Sequence, residues 1–143
     1  MIAKQLFPDL LREALSLGRR VRFHAMGRSM NPTIVDGDAI RLASVIPAAI
    51  EVGDVVLFQL PRGLVAHRVE RIEVRQDDAL EFLVKGDAAE STGEWATAHE
   101  VVARVEAVER DGQLISLGGI GERWRHSLWE LCAGVVQRVR RMR

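Results

Sequence analysis

Two residues in the first half of the chain have side chains that can perform acyl transfer together. Ser29 lies in the segment GRSMNPTIVDGD, residues 27–38, and His67 lies in the alternating segment LVAHRVERIEV, residues 64–74. A serine hydroxyl is a weak nucleophile until a base removes its proton, and histidine is the usual base near neutral pH. The pair is therefore a candidate nucleophile and general base.

A third segment, KGDAAESTGE at residues 85–94, contains carboxylates that could orient the histidine. A carboxylate on the far ring nitrogen fixes the imidazole tautomer and stabilises the protonated ring. Asp87, Glu90 and Glu94 are available, and we take Asp87 and Glu94 as candidate catalytic residues. An aspartate that follows glycine can instead close a turn by bonding its own backbone, and Asp87 also fits that role.

The residues around Ser29 supply what a nucleophile needs from the backbone. Gly27 allows a substrate to approach the chain closely, and Pro32 stiffens the turn after the serine. The oxyanion of a tetrahedral intermediate needs N–H donors, which the amides of Ser29 and of Gly27 or Arg28 could provide. Gly27, Arg28, Met30 and Pro32 are therefore the candidate oxyanion and substrate-binding residues.

The same residue types also fit a purely structural interpretation. A serine in a Gly-Pro turn commonly serves the turn, and a histidine in a strand is commonly a hydrogen-bonded structural residue. Cys132, the single cysteine, falls in an apolar helical pattern and is expected to be a buried thiol. The four histidines and this cysteine show no metal-ligand spacing, so we expect neither a metal nor another cofactor.

Strand-like alternation dominates the chain from residue 21 to residue 118. The segments are short, and turn residues separate them, with a Pro-Arg-Gly turn at 61–63 and a hairpin turn at Asp111-Gly112. Closely spaced short strands of this kind are typical of a small barrel or coiled sheet. The sequence therefore predicts a mainly β fold in this region.

Helical spacing is confined to the two ends of the chain. Residues 8–17 are expected to form a short helix within residues 1–20, with Pro8 in its first turn and Gly18 at its exit. Residues 119–143 have the apolar stripe of an amphipathic helix with a basic end, RVRRMR. This C-terminal helix could dock on the sheet, or it could rest on an anionic membrane or a partner protein.

Composition excludes several classes of function. A chain of 143 residues is expected to form a single domain overall, and its 20 basic and 20 acidic side chains cancel, which argues against a nucleic-acid-binding protein. No segment approaches the roughly 18 apolar residues of a membrane span, and no secretory signal is visible. We expect a cytoplasmic protein with optional peripheral membrane contact, and exposed strand edges would allow a homodimer.

Five segments in order, GRSMNPTIVDGD, GDVVLF, AHRV, KGDA and VVARV, resemble the sequence boxes of the type I signal peptidases and the related self-cleaving SOS repressors. The resemblance covers roughly residues 21–109 and implies a serine protease core of the signal peptidase type in residues 21–118. It implies that Ser29 is the nucleophile. His67 stands where most members of the superfamily have a lysine, so the chain resembles the histidine branch, which includes the endoplasmic-reticulum and archaeal-type enzymes.

The activity implied by the resemblance is that of a serine endopeptidase. Its substrate would be a peptide or a precursor protein that binds as an added β-strand, with small side chains before the cut. The chain departs from the family at two points: glutamates, of which Glu94 fits best, stand where the family has an aspartate, and no membrane-spanning segment is present. These departures leave open the alternative of a non-catalytic peptide-binding module.

Overall fold

One curled sheet forms the framework of residues 2–117, the part of the chain that the computed structural model describes; side chains are described from residue 7 onward. Its strands are β1 (Val21–His24), β2 (Ala39–Ala43), β3 (Val55–Leu60), β4 (Gly63–Val74), β5 (Leu80–Lys85), β6 (Glu94–Thr97), β7 (Val101–Arg110) and β8 (Gln113–Ser116). The prediction of a mainly β fold is confirmed for this region. The predicted helix at residues 119–143 lies outside the described residues.

The strands run in the order β1-β2-β7-β3-β4-β5-β6, and every neighbouring pair is antiparallel. Strand β7 is the junction of the sheet: it pairs with β2 along one side and with β3 and then β8 along the other. The segment between β1 and β2 therefore belongs to one half of the sheet, and β4 belongs to the other.

Both predicted tight turns are present. Pro61 and Arg62 join β3 to β4, with Leu60 opposite Gly63. Asp111 and Gly112 join β7 to β8, and both have positive φ, at 51° and 73°. Two successive residues with positive φ form the turn whose twist matches that of the flanking strands, which explains why an Asp-Gly pair occupies this hairpin.

The helix α1 spans Ile2–Ser16 and packs against β7 and β1. The expectation that Pro8 lies in its first turn is wrong, because the helix begins six residues earlier at Ile2. Proline in a helix interior forfeits one backbone hydrogen bond, and burial of Leu11 and Leu15 against the sheet offsets that loss. Gly18 ends the helix with φ of 75°, as predicted.

The core consists of two apolar clusters on opposite sides of β3. Val55 and Leu57 belong to the cluster that includes α1, whereas Val56 and Phe58 belong to the cluster around Phe82. Successive side chains of a strand point to opposite faces, so a strand buried on both faces must be apolar throughout. Among the described residues, no helix is long and apolar enough to cross a membrane.

Candidate active site

An open cleft of about 380 Å³ brings Ser29 and His67 to one surface. Residues from the segment after β1, from the start of β4 and from the loop after β5 line it. Its lining combines polar and apolar residues, and the apolar ones are Ala25, Met26, Met30, Ile34, Leu64, Val65 and Ala66. Ser29 is exposed at the cleft, whereas His67 is only 3% exposed. The fold thus places the two residues in one cleft, from opposite sides of the junction strand.

Backbone hydrogen bonds shape the segment that carries Ser29. Gly27 has φ of 97°, a conformation that glycine adopts without strain, and its N–H donates to Asp36 Oδ1 at 2.8 Å. Ile34 N–H donates to the carbonyl oxygen of Met30 at 3.0 Å, which closes the turn after the serine. The side chain of Met30 is buried in the core and forms part of the cleft wall.

The remaining predicted residues of this segment lie at the surface. Arg28 and Pro32 are both exposed, and the Asn31–Pro32 peptide bond is cis. Within residues 2–117, the backbone N–H groups of Arg28 and Ser29 donate no hydrogen bond. The N–H of Gly27 is already occupied by Asp36, so of the predicted oxyanion donors only those of Arg28 and Ser29 remain available.

Asp38 anchors the far end of the same segment. It accepts two hydrogen bonds from the guanidinium of Arg110, at 3.0 and 2.6 Å, and one from the N–H of Val35 at 2.8 Å. Arg110 also donates to the carbonyl oxygen of Thr33 at 3.3 Å. The hydrogen bonds from Arg110 lower the pKa of Asp38, against an opposing effect of burial. The carboxylate thus ties the serine segment to the end of β7.

The backbone of Ser29 is held by the segment that follows β5. Ala88 N–H donates to the carbonyl oxygen of Ser29 at 3.0 Å. Gly86 lies so close that a Cβ atom on it would be 2.2 Å from the same carbonyl oxygen and 2.9 Å from the carbonyl carbon. Ser91 Oγ accepts the N–H of Gly86 at 2.9 Å and steadies this contact. A glycine is therefore required at position 86 for the serine to occupy its observed place.

His67 is buried, and Nδ1 of its ring has no hydrogen-bond partner in the described part of the chain. This Nδ1 atom lies 3.6 Å from Glu94 Oε1. Within the same part of the chain, no hydrogen bond joins the ring to the hydroxyl of Ser29. Burial lowers the pKa of His67, an effect that the negative charge of Glu94 opposes and the positive charge of Arg62 reinforces. Burial therefore favours the neutral ring, the form that a general base requires.

Glu94 lies on the same face of the sheet as His67. Glu94 on β6 pairs with Val84 on β5, and Val84 pairs with Val69 on β4. Val69 is two positions after His67 and therefore points to the same face. Arg62, from the turn between β3 and β4, forms an ion pair with the same oxygen, Oε1, that faces the ring. Of the predicted carboxylates, Glu94 is thus the one placed beside Nδ1.

Asp87 occupies a different position. Its two carboxylate oxygens accept hydrogen bonds from Arg68 Nε and Nη2 at 2.8 and 2.7 Å, and Thr33 Oγ1 donates to it at 2.5 Å. Burial raises the pKa of Asp87, but the hydrogen bonds from Arg68 and Thr33 outweigh burial, so the net pKa is lowered. Asp87 therefore links the serine segment to the residue after His67, and its carboxylate is committed to that link.

Four residues of this site were not anticipated as site residues from the sequence. Gly86 and Arg68 belong to the KGDA and AHRV segments, so the segments were identified but these roles were not. Thr33 and Arg62 lie in turns, and only their three-dimensional partners reveal them. In the described part of the chain, no group of three or more His, Cys, Asp and Glu side chains could hold a metal ion. A comparison with models of known protein families finds none that matches this chain.

Proposed function

We propose that the protein is a serine endopeptidase of the signal peptidase type, with Ser29 as nucleophile and His67 as general base. The observation that carries this proposal is the shared cleft, which an exposed serine and a buried histidine both line although they are 38 positions apart in sequence. If Ser29 and His67 lined the same cleft by chance, a third segment would not be expected to hold the serine backbone in place.

Catalysis would begin with attack of Ser29 Oγ on the carbonyl carbon of a peptide bond. Because Nδ1 of His67 faces Glu94, we assign Nε2 as the atom that accepts the hydroxyl proton. Collapse of the tetrahedral intermediate breaks the C–N bond, and Nε2 returns the proton to the leaving amine. Water, deprotonated by the same nitrogen, then hydrolyses the ester and regenerates Ser29. The missing hydrogen bond between serine and histidine would form when substrate is bound.

The oxyanion of the intermediate requires fixed donors at the cleft. The unoccupied N–H groups of Arg28 and Ser29 fit this role, and the hydrogen bond from Ala88 to the Ser29 carbonyl holds the peptide unit that directly follows them in place. One such donor contributes about 3 to 4 kcal/mol to lowering the barrier in serine hydrolases. We propose that these two amides, rather than the amide of Gly27, stabilise the oxyanion.

The shape and lining of the cleft fit an extended peptide with small apolar side chains. Ala25, Leu64 and Ala66 present short or aliphatic groups to it, and the strand β4 offers backbone groups along one side. This agrees with the peptide or precursor-protein substrate that the family resemblance implies. No cofactor is needed for this chemistry.

A second function, peptide binding without cleavage, is favoured by one observation. Neither the Ser29 hydroxyl nor Nδ1 of His67 is engaged in a hydrogen bond of the proposed catalytic array within residues 2–117. A site that only binds peptides would keep the apolar cleft and would not need that array.

A serine-directed phosphonylating probe distinguishes the two functions. We expect covalent labelling of the wild-type protein at Ser29, located by mass spectrometry, and cleavage of peptides with alanine before the scissile bond. Ser29→Ala and His67→Ala should each abolish labelling and cleavage in a protein that still unfolds in a cooperative thermal transition, and the buried site of His67 makes its variant the less stable of the two. Ser16→Ala, on the exposed side of α1, is the matched control and should label normally. Peptide binding with no labelling and no cleavage would favour the binding module.

A further inference from the structure

The turn between β3 and β4 places a cation beside the candidate base. Arg62 follows Pro61 in a two-residue turn, and its side chain lines the cleft with 58% of its surface exposed. Its guanidinium pairs with Glu94 Oε1, and that same oxygen lies 3.6 Å from Nδ1 of His67. One carboxylate oxygen therefore serves two competing partners.

Of the two partners, Arg62 and not His67 holds the shared carboxylate oxygen. A separation of 3.6 Å is beyond hydrogen-bond distance for an imidazole N–H and a carboxylate. A small rotation of the Glu94 side chain would close it, but the rotation would weaken the ion pair with Arg62. While Arg62 holds the carboxylate, Glu94 interacts with His67 only through space, and its charge is partly compensated.

We propose that Arg62 is a positioning residue that restrains Glu94 and thereby keeps His67 a weak enough base to remain neutral and ready for proton transfer. This role rests on the proposed function, in which His67 accepts the serine proton. Arg62 lowers the basicity of His67 in two ways. It keeps Glu94 from accepting a hydrogen bond that would stabilise the imidazolium, and its own positive charge disfavours the imidazolium.

Other charges around the ring do not share this geometry. From β6 the charge of Glu94 acts on the ring, and from the segment after β5 that of Asp87 does. Glu90 lines the same cleft, and Arg68 follows the histidine on β4. Asp87 is fully engaged by Arg68 and Thr33, so its carboxylate cannot move to the ring without breaking three hydrogen bonds. Arg62 is the exposed and replaceable partner in this set.

The test is an NMR titration of the His67 ring in the full chain. Arg62→Ala should move the His67 titration midpoint to higher pH, and Arg62→Lys, which keeps a cation, should restore it toward the wild-type value. In a Glu94→Gln background, Arg62→Ala should cause a smaller shift, because only the direct charge effect of Arg62 remains. Equal shifts in the two backgrounds would overturn the role of Glu94 as intermediary.

Arg71→Ala is the matched control, because Arg71 pairs with Glu73 on the distal end of β4 in an exposed ion pair of the same kind. It should leave the His67 midpoint unchanged. An unchanged midpoint in Arg62→Ala would overturn the proposal. Because the titration needs no substrate, a shift in a protein that cleaves nothing would support the Arg62 coupling while rejecting the protease function. Where peptides are cleaved, the acid limb of kcat/KM should shift in the same direction as the midpoint.

Discussion

The carbonyl oxygen of Ser29 accepts a hydrogen bond of 3.0 Å from the backbone N–H of Ala88. The two residues are 59 positions apart in sequence. This contact fixes the candidate nucleophile from outside its own turn, and the closest atoms of Gly86 occupy the space beside it. The position of the serine therefore depends on a segment that takes no direct part in the proposed reaction.

Gly86→Ala should inactivate the protein without unfolding it. The new methyl group would lie 2.2 Å from the Ser29 carbonyl oxygen, so the serine backbone must move. A displacement of about 1 Å in a catalytic group costs roughly 100-fold in rate, and we expect at least that loss in kcat/KM. Gly93→Ala is the control, because its new methyl group would meet a flexible leucine side chain, Leu83, at 3.3 Å. Full activity of Gly86→Ala would show that this segment does not hold the Ser29 backbone in place.

Asp87→Asn should destabilise the fold by about 2 kcal/mol at pH 7, because it removes the charge that the Arg68 guanidinium and the Thr33 hydroxyl bind. The carboxyl has a lowered pKa in the folded protein, so its stabilising contribution is fully present above its unfolded pKa of about 4. That contribution is lost as the pH falls through the folded-state pKa. Urea denaturation should show the wild-type advantage shrinking below about pH 4.

Asp77→Asn, in the turn between β4 and β5, provides the comparison for this measurement. It should change the free energy of unfolding by less than about 0.5 kcal/mol. A stability difference between wild type and Asp87→Asn that stays constant from pH 7 to pH 3 would show that folding does not lower the pKa of Asp87.

The acid limb of kcat/KM should have its midpoint below 6.5, the ordinary value for histidine. Burial lowers the pKa of His67, and the neutral ring is the reactive form, so activity persists to lower pH than an exposed histidine would allow. Initial rates of peptide cleavage at several buffer pH values measure this. A midpoint at or above 6.5 would show that burial does not dominate the pKa of the ring.

Glu94→Gln should reduce kcat/KM by roughly tenfold, much less than the loss caused by Ser29→Ala or His67→Ala. The carboxylate supports the ring from 3.6 Å rather than through a hydrogen bond, so its removal leaves the array largely in place. Loss of this negative charge also favours the neutral ring, which should move the acid limb to lower pH. Complete inactivation would instead make Glu94 an obligatory member of a triad.

The sheet and its tight turns could be predicted because their signals are local. The apolar run of β3, the alternation in β4 and the Asp111-Gly112 pair are each recognisable from neighbouring residues alone. The extent of α1 could not be predicted from the sequence. Proline disfavours a helix interior, but burial of Leu11 and Leu15 against a strand that is distant in sequence stabilises the helix around Pro8.

The candidate site shows the same division. Ser29 and His67 could be selected by residue type, and the fold places both in one cleft. The partners of Asp87 could not be read from the sequence, because the threonine and the arginine that bind it are 54 and 19 residues away. Arg62 could not be identified from the sequence either, because its proposed effect on His67 depends on Glu94, a residue on another strand.

The position of β7 between β2 and β3 also bears on how the protein is synthesised. Ser29 emerges in the β1–β2 hairpin and His67 in the β3–β4 hairpin, and these two hairpins share no strand pairing until Val101–Arg110 joins them. A nascent chain that ends before residue 101 therefore contains both reactive residues but lacks the strand that sets their separation. Under the proposed function, proteolytic competence would be acquired only after β7 has been synthesised, which delays any attack by the growing chain on itself or on its neighbours.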